Sequence, residues 1–160
     1  MQPRMKNPAL NLPGAMESLQ AFANTVHEAA KEAGIRRSTI DLVELRASQI
    51  NGCAVCLDMH TRSAKKAGES DERLFTVSAW RETPYFTDAE RAALALTEAG
   101  TRLSDRPDPV PDEVFAEAAR HYDEKALTVL ICAIALINTW NRLNVISGQV
   151  TGEWTAQWAS

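Results

Sequence analysis

Apolar residues recur at intervals of three and four through most of the chain, and strict alternation is sustained nowhere. Met16, Leu19, Phe22, Ala23, Val26, Ala29 and Ala30 mark one face of a helix over Ala15–Ala33, which Gly34 stops. A second helix opens at Ser38 or Thr39, where Ser38-Thr39-Ile40-Asp41 has the form of a cap followed by an acid. Ile40, Val43, Ala47 and Ile50 form its inner face. Asn51-Gly52 interrupts it, and a third helix runs from near Cys53 to Lys66, ended by Gly68. Ser70 caps a short helix from Asp71 to about Trp80, and Pro84-Tyr85-Phe86 is a connection. Thr87-Asp88-Ala89-Glu90 is a full capping box for a helix carrying Ala92, Ala93, Leu96 and Ala99 and ending near Leu103. A proline-rich loop over 104–111 leads into a helix starting at Pro111-Asp112-Glu113, with Val114, Phe115, Ala118 and Ala119 apolar. Asp123 or Glu124 opens the last and longest helix, which reaches roughly Val150.

Seven helical segments and no strand predict an all-α, single-domain bundle with the Cys53–Cys56 pair at the start of a central helix. Missing β-branched alternation argues against a thioredoxin-type sheet. Residues 1–14, rich in Pro and Asn, predict an extended arm on the domain surface or on a neighbouring subunit. The domain proper is 15–150. Residues 151–160 form a tail with Trp154 and Trp158, whose apolar side chains suggest a contact between subunits.

Composition narrows the class. Hydrophobic residues make up 45% and charged residues 24% of 160, the balance of a globular chain. A net charge of -4 argues against nucleic acid as partner. The small basic cluster Arg62, Lys65 and Lys66 reads as a solvated helix face. The amino terminus shows no signal-peptide pattern, and the apolar run Ala126–Ile137 is shorter than the roughly 20 residues that span a bilayer. A soluble cytoplasmic protein without membrane contact is expected. In a reducing cytoplasm a CxxC pair is more often redox-active or metal-binding than a structural staple.

The chemistry concentrates in Glu44–His60, which holds two of the three cysteines and one of the three histidines. On a helix, Cys53, Cys56 and His60 at spacings of three and four share a face. A helix start favours thiolate, through its unpaired N–H groups and the positive end of its dipole. His60 is placed to take the Cys56 proton. Asp41 and Glu44, three apart on the preceding helix, are candidates to orient His60 or hold its charge. Such a set suits thiolate attack on a peroxide, giving a sulfenic acid that the partner thiol condenses to a disulfide. The competing reading is two buried, inert thiols. A structural zinc site needs four ligands, and only Cys53, Cys56 and His60 lie close in sequence, so no metal or cofactor is expected.

Other candidates read more simply. Cys132 lies in an apolar helix and belongs to a core. His27 and His121 suit structural or solvated roles, and Glu90 is first a capping-box residue. Asn138, Asn141 and Asn144, with Trp140 and Arg142, sit at the polar end of the last helix. Buried amides demand partners, so Asn138 and Asn141 line either a pocket or a subunit contact.

The stretch Leu42–His60, Leu-Val-Glu-Leu-Arg-Ala-Ser-Gln-Ile-Asn-Gly-Cys-Ala-Val-Cys-Leu-Asp-Met-His, resembles the core of the alkylhydroperoxidase D-like proteins of the carboxymuconolactone decarboxylase superfamily. The similarity continues through Ala67-Gly68, Ala79-Trp80-Arg81, Pro84-Tyr85-Phe86, Glu90-Arg91-Ala92-Ala93-Leu94 and Ile137-Asn138-Thr139-Trp140-Asn141-Arg142-Leu143, and so covers most of 15–150. The resemblance implies a helical fold assembled as trimers or hexamers. It implies a peroxidase in which Cys56 attacks, Cys53 resolves, and His60 and a Glu relay protons. An external dithiol, in some members a lipoyl adaptor protein, then reduces the disulfide. The family's relay Glu stands twelve residues before the first Cys, where this chain has Asp41; Glu44 stands nine before it, and Glu90 is a further possibility. The superfamily's decarboxylases commonly lack the CxxC. The expectation is a CxxC-dependent hydroperoxide reductase. The alternatives are a slow redox sensor or scaffold and a helical assembly module with inert thiols.

Overall fold

The structure is a computed structural model, and it describes residues 1–105 and 107–152. Among the described residues the regular elements are all helices, with no strand: α1 (Pro8–Asn11), α2 (Ala15–Glu32), α3 (Arg37–Asn51), α4 (Ala54–Lys66), α5 (Asp71–Thr76), a 3-10 helix (Val77–Glu82), α6 (Asp88–Thr101), α7 (Asp112–His121) and α8 (Glu124–Ser147). Trp154 and Trp158 lie outside the described residues.

Helix α3 is the axis of the bundle. It packs against α8, α6 and α4, and everything from Thr39 to Leu45 is buried. The periodicity of Ile40, Val43 and Ala47 describes only one of its faces. Its neighbours also enclose Leu42, Leu45, Asp41 and Glu44, so two carboxylates lie inside the protein. The main core joins Val26 and Ala30 of α2, Ile40 and Val43 of α3, Ala93 and Leu96 of α6, and Leu130 and Ile134 of α8. Full burial of each such Leu, Ile or Val stabilises by about 1.5–3 kcal/mol. Cys132 packs half-buried against this core.

Two buried carboxylates pin α6 to its neighbours. Glu98 accepts from Arg46 of α3 at 2.7 Å, from the Trp80 indole at 3.0 Å and from Arg81 at 2.7 Å. Glu90 completes the capping box with Thr87 and also takes Arg36 at 3.1 Å and Arg73 at 2.8 Å. Burial would raise both carboxyls, but these donors outweigh it and hold both below the ordinary range.

Helix boundaries differ from expectation at four places. The arm is not wholly extended: Asn7 caps the short α1 with its side chain, and Arg4 N donates to Ser147 O at 3.0 Å, tying the arm to the end of α8. Helix α3 starts at Arg37 with no side-chain cap, because Asp41 pairs with Arg37 instead of serving a cap at Ser38 or Thr39. The segment after Ser70 breaks into α5 and the 3-10 helix, with Ala79 at non-helical φ/ψ. Helix α8 stops at Ser147, where Gly148 takes a left-handed conformation. By length and composition α8 can cross a membrane, but half of its apolar window is buried inside the bundle, and it serves as a core helix. The basic cluster is a surface face, with Arg62 paired to Asp58 and Lys65 to Asp71.

The α3–α4 junction sets up the cysteines. Cys53 N donates to Ser48 O at 3.0 Å and Gly52 N to Gln49 O at 3.4 Å, the two bonds of a Schellman ending. Gly52 has φ +65°, and a Cβ added there meets nothing within 4 Å. Gly52→Ala is therefore expected to cost stability through backbone conformation alone, about 1 kcal/mol. Urea denaturation checks this; an unchanged midpoint would mean that the turn relaxes without cost.

Candidate active site

Cys53 ends one helix and caps the next. It follows the left-handed Gly52, and as N-cap of α4 its Sγ accepts the Cys56 backbone N–H at 3.3 Å. This N–H belongs to the unpaired set at a helix start, which favours negative charge on the sulfur. Both thiols are free and buried, Cys53 at 2% and Cys56 at 3% exposure. They pack with Ala47, Val55 and Ile137, and half-buried Met59 and Trp140 flank them. The two sulfurs titrate as a pair. The Cys56 thiol and N–H, opposed by burial, bring Cys53 down to about 7. With that charge beside it and burial added, Cys56 holds its own proton far more tightly than an ordinary thiol.

His60 lies one turn beyond Cys56, and its partner is Glu44. His60 Nδ1 is 2.9 Å from Glu44 Oε2, an approach off the N–H direction and hence ionic more than a directed hydrogen bond. Glu44 Oε1 faces a second imidazole, His27 Nε2 of α2, at 3.6 Å. One buried carboxylate thus sits between two histidines. Burial would raise Glu44, but His60, His27 and Arg37 together hold it far below the ordinary carboxyl range. Burial would lower His60, but Glu44 and then Asp41 reverse this and favour the imidazolium.

Asp41 faces elsewhere. Its Oδ1 accepts from Arg37 Nε at 2.8 Å. Burial pushes its carboxyl up, Arg37 opposes, and the neighbouring Glu44 charge adds to the rise. Of the three carboxylates considered from sequence, the structure brings Glu44 to His60, commits Asp41 to Arg37, and gives Glu90 to the α6 cap. The structure brings Cys53 and Cys56 together at the start of α4 and sets His60 one turn beyond Cys56 on the same helix, with Glu44 as its partner.

Amides fill the remaining polar positions. Asn51 Nδ2 donates to Asn138 Oδ1 and Asn141 Oδ1, both at 2.9 Å. Asn141 Nδ2 donates to Ser48 Oγ at 3.0 Å, and Ser48 Oγ donates to Glu44 O at 2.7 Å. Asn138 and Asn141 are therefore buried partners in one hydrogen-bonded network. Asn144 Nδ2 donates to Cys56 Sγ at 3.4 Å. Sequence reasoning gave no role to Asn144 and a structural or solvated role to His27. The signal for the first was legible: amides three apart at 138, 141 and 144 on an otherwise apolar helix share one face. Nothing local marked His27, whose role depends on how α2 packs. His121 pairs with Glu117 at 3.4 Å on the surface, away from this cluster.

Comparison with known proteins gives four findings. Residues 13–99 match the carboxymuconolactone decarboxylase family. The chain is 41% identical over 118 residues to an uncharacterized protein, YdfG of Bacillus subtilis, covering 74% of this chain and 79% of that one. It is 33% identical over 67 residues to the alkyl hydroperoxide reductase AhpD of Bradyrhizobium diazoefficiens, 42% of this chain and 34% of that one. A crystal structure from Agrobacterium tumefaciens, described as of unknown function and a putative antioxidant defence protein AhpD, superposes with TM-score 0.84 at 34% identity. That match covers 94% of this chain and 99% of the other.

Proposed function

The chain belongs to the carboxymuconolactone decarboxylase family, and from that premise we propose that it is a hydroperoxide reductase cycling through a Cys53–Cys56 disulfide. One observation carries the reading: a dithiol at a helix N-cap with an imidazole one turn away, held by a buried carboxylate. In the forward step the Cys56 thiolate attacks the outer peroxide oxygen and the O–O bond breaks. The departing alkoxide takes the His60 proton and leaves as an alcohol, and Cys56 becomes a sulfenic acid. Cys53 then attacks the Cys56 sulfur. The S–O bond breaks, water leaves, and the disulfide forms. An external dithiol returns two electrons and two protons, its own thiols becoming a disulfide. A lipoyl group on an adaptor protein suits that role.

The acid of the relay is Glu44 in this proposal, with Asp41 a bystander that raises the local negative field. The reading places the protein in the reducing cytoplasm, where such dithiols are regenerated, as a trimer or hexamer. Exposed Ile131, Val145 and Ile146 along α8 support a subunit contact. No cofactor enters the scheme.

A second reading, a slow redox sensor or scaffold, is favoured by the near-complete burial of both sulfurs. The deciding experiment supplies hydrogen peroxide or an alkyl hydroperoxide with dihydrolipoamide, thioredoxin or glutathione as donor. Multiple turnovers with a dithiol donor are expected. Disulfide formation without turnover would favour the sensor, and no reaction with either peroxide would sink both.

A further inference from the structure

The amino-terminal arm reaches the redox pair through two side chains. Asn7, the cap of α1, accepts the Ala9 backbone N–H on Oδ1 at 2.9 Å. That N–H can only donate, so it fixes which end of the Asn7 amide is oxygen. The other end, Nδ2, donates to Asn144 Oδ1 at 2.8 Å. This in turn fixes Asn144, whose Nδ2 points at Cys56 Sγ at 3.4 Å. Asn7 and Asn144 are both buried, at 9% and 6% exposure. Without Asn7, nothing in this chain of bonds prevents the Asn144 amide from turning its oxygen to the sulfur. A donor there stabilises a thiolate; an acceptor opposes it.

We propose that Asn144 is a positioning residue for the Cys56 thiolate, and that Asn7, from an arm 137 positions away in sequence, holds its amide donor toward the sulfur. The arm is thereby part of the redox site. Its backbone bond from Arg4 N to Ser147 O and the Gln149 amide on Met5 O at 2.8 Å keep it seated against the end of α8. The effect of Asn144 on Cys56 has the same sign, lowering its proton affinity against the larger effects of Cys53 and burial. Cys53 faces this sulfur across the junction, and His60, itself paired with Glu44, lies one turn further along α4. From α8 come the neutral amides of Asn141 and Asn144. Arg4, on the arm, is directed to Ile146 O at 3.0 Å.

The inference uses the proposed thiolate chemistry but is tested without peroxide, so its failure is distinct from failure of the peroxidase reading. The background is Cys53→Ser with Cys132→Ser, leaving Cys56 as the lone thiol; the first of these substitutions keeps a hydroxyl oxygen to cap α4. Thiolate absorbance near 240 nm is followed against pH, with the same protein lacking Cys56 subtracted. Asn7→Ser keeps a capping oxygen for Ala9 but does not reach Asn144. It is expected to raise the Cys56 midpoint by about one unit, a roughly 10-fold loss of thiolate below the midpoint. Asn144→Ala is expected to do the same. Asn7→Asp is expected to shift the midpoint further, because a carboxylate oxygen facing Asn144 favours the reversed amide. A merely structural arm would lower the thermal midpoint while leaving the titration unmoved. Titrations of Asn7→Ser and Asn144→Ala that overlay the parent would overturn the proposal; if Asn144→Ala does not fold, the Asn7→Ser curve decides alone.

Discussion

Cys56→Ser is expected to abolish peroxide consumption, a loss of about 10³-fold or more, because in the proposed scheme Cys56, one turn before His60 on α4, is the thiol that attacks and Cys53 only resolves. Cys53→Ser is expected to stop multiple turnover just as completely but at a different point. A single equivalent of peroxide should still be consumed, leaving a sulfenic acid on Cys56 that dimedone captures. The asymmetry makes this a stringent test. In the reduced pair the N-cap geometry stabilises charge on Cys53, not Cys56. Attack by Cys56 therefore requires its proton to pass to Cys53 as the peroxide arrives, while His60 keeps its own for the leaving oxygen. Removing Cys53 removes the competing charge and lets Cys56 ionise more readily, so the first peroxide reaction should survive. Dimedone on Cys53 in the Cys56→Ser variant, with peroxide consumption retained, would reverse the two roles. Full turnover in both variants would end the disulfide mechanism.

Glu44→Gln is expected to reduce turnover at neutral pH by about 10²-fold, the usual scale for losing a positioned proton donor, while Asp41→Asn stays within about threefold. The reason is electrostatic. Burial alone lowers the proton affinity of His60, and Glu44 is the main group that reverses this. Without that carboxylate burial disfavours the imidazolium, and less of it is present to protonate the leaving oxygen. The alkaline limb of the pH–rate profile should accordingly move to lower pH in Glu44→Gln. Equal losses in the two variants would place the relay acid in doubt again.

The same pair sets a stability window. Glu44 is depressed on folding, so its contribution is present above the unfolded carboxyl value of about 4.3 and is lost on acidification below it. His60 is raised, so its contribution is full below about pH 6.5 and fades as pH rises through its folded value. Thermal midpoints of the wild type should fall on both sides of that interval, and Glu44→Gln should flatten both slopes.

Much of this site was legible in order but not in depth. The spacing of four put Cys56 and His60 one turn apart on one helix, and Asn51-Gly52 marked the turn that makes Cys53 a cap; both are local properties of a chain that turns every 3.6 residues. The capping box at Thr87–Glu90 was local as well, but Glu90 remained a further possibility for the relay until the fold gave it to Thr87, Arg36 and Arg73. Position counting from the family pattern favoured Asp41, and the structure gives the His60 contact to Glu44. No spacing rule chooses between two acids one turn apart on a helix buried on all sides. The choice follows from where α4 and α2 lie against α3, and from Arg37 claiming Asp41.

The sequence by itself determined the helical class, the dithiol with its base, and the break that places a thiol at a helix start, because each depends on neighbours within a turn or two. Tertiary structure alone decided which carboxylate meets His60, that His27 shares it, and that an asparagine at position 7 bonds to an amide at position 144. Those contacts join residues from separate helices, and their energies arise only once packing has removed the water between them.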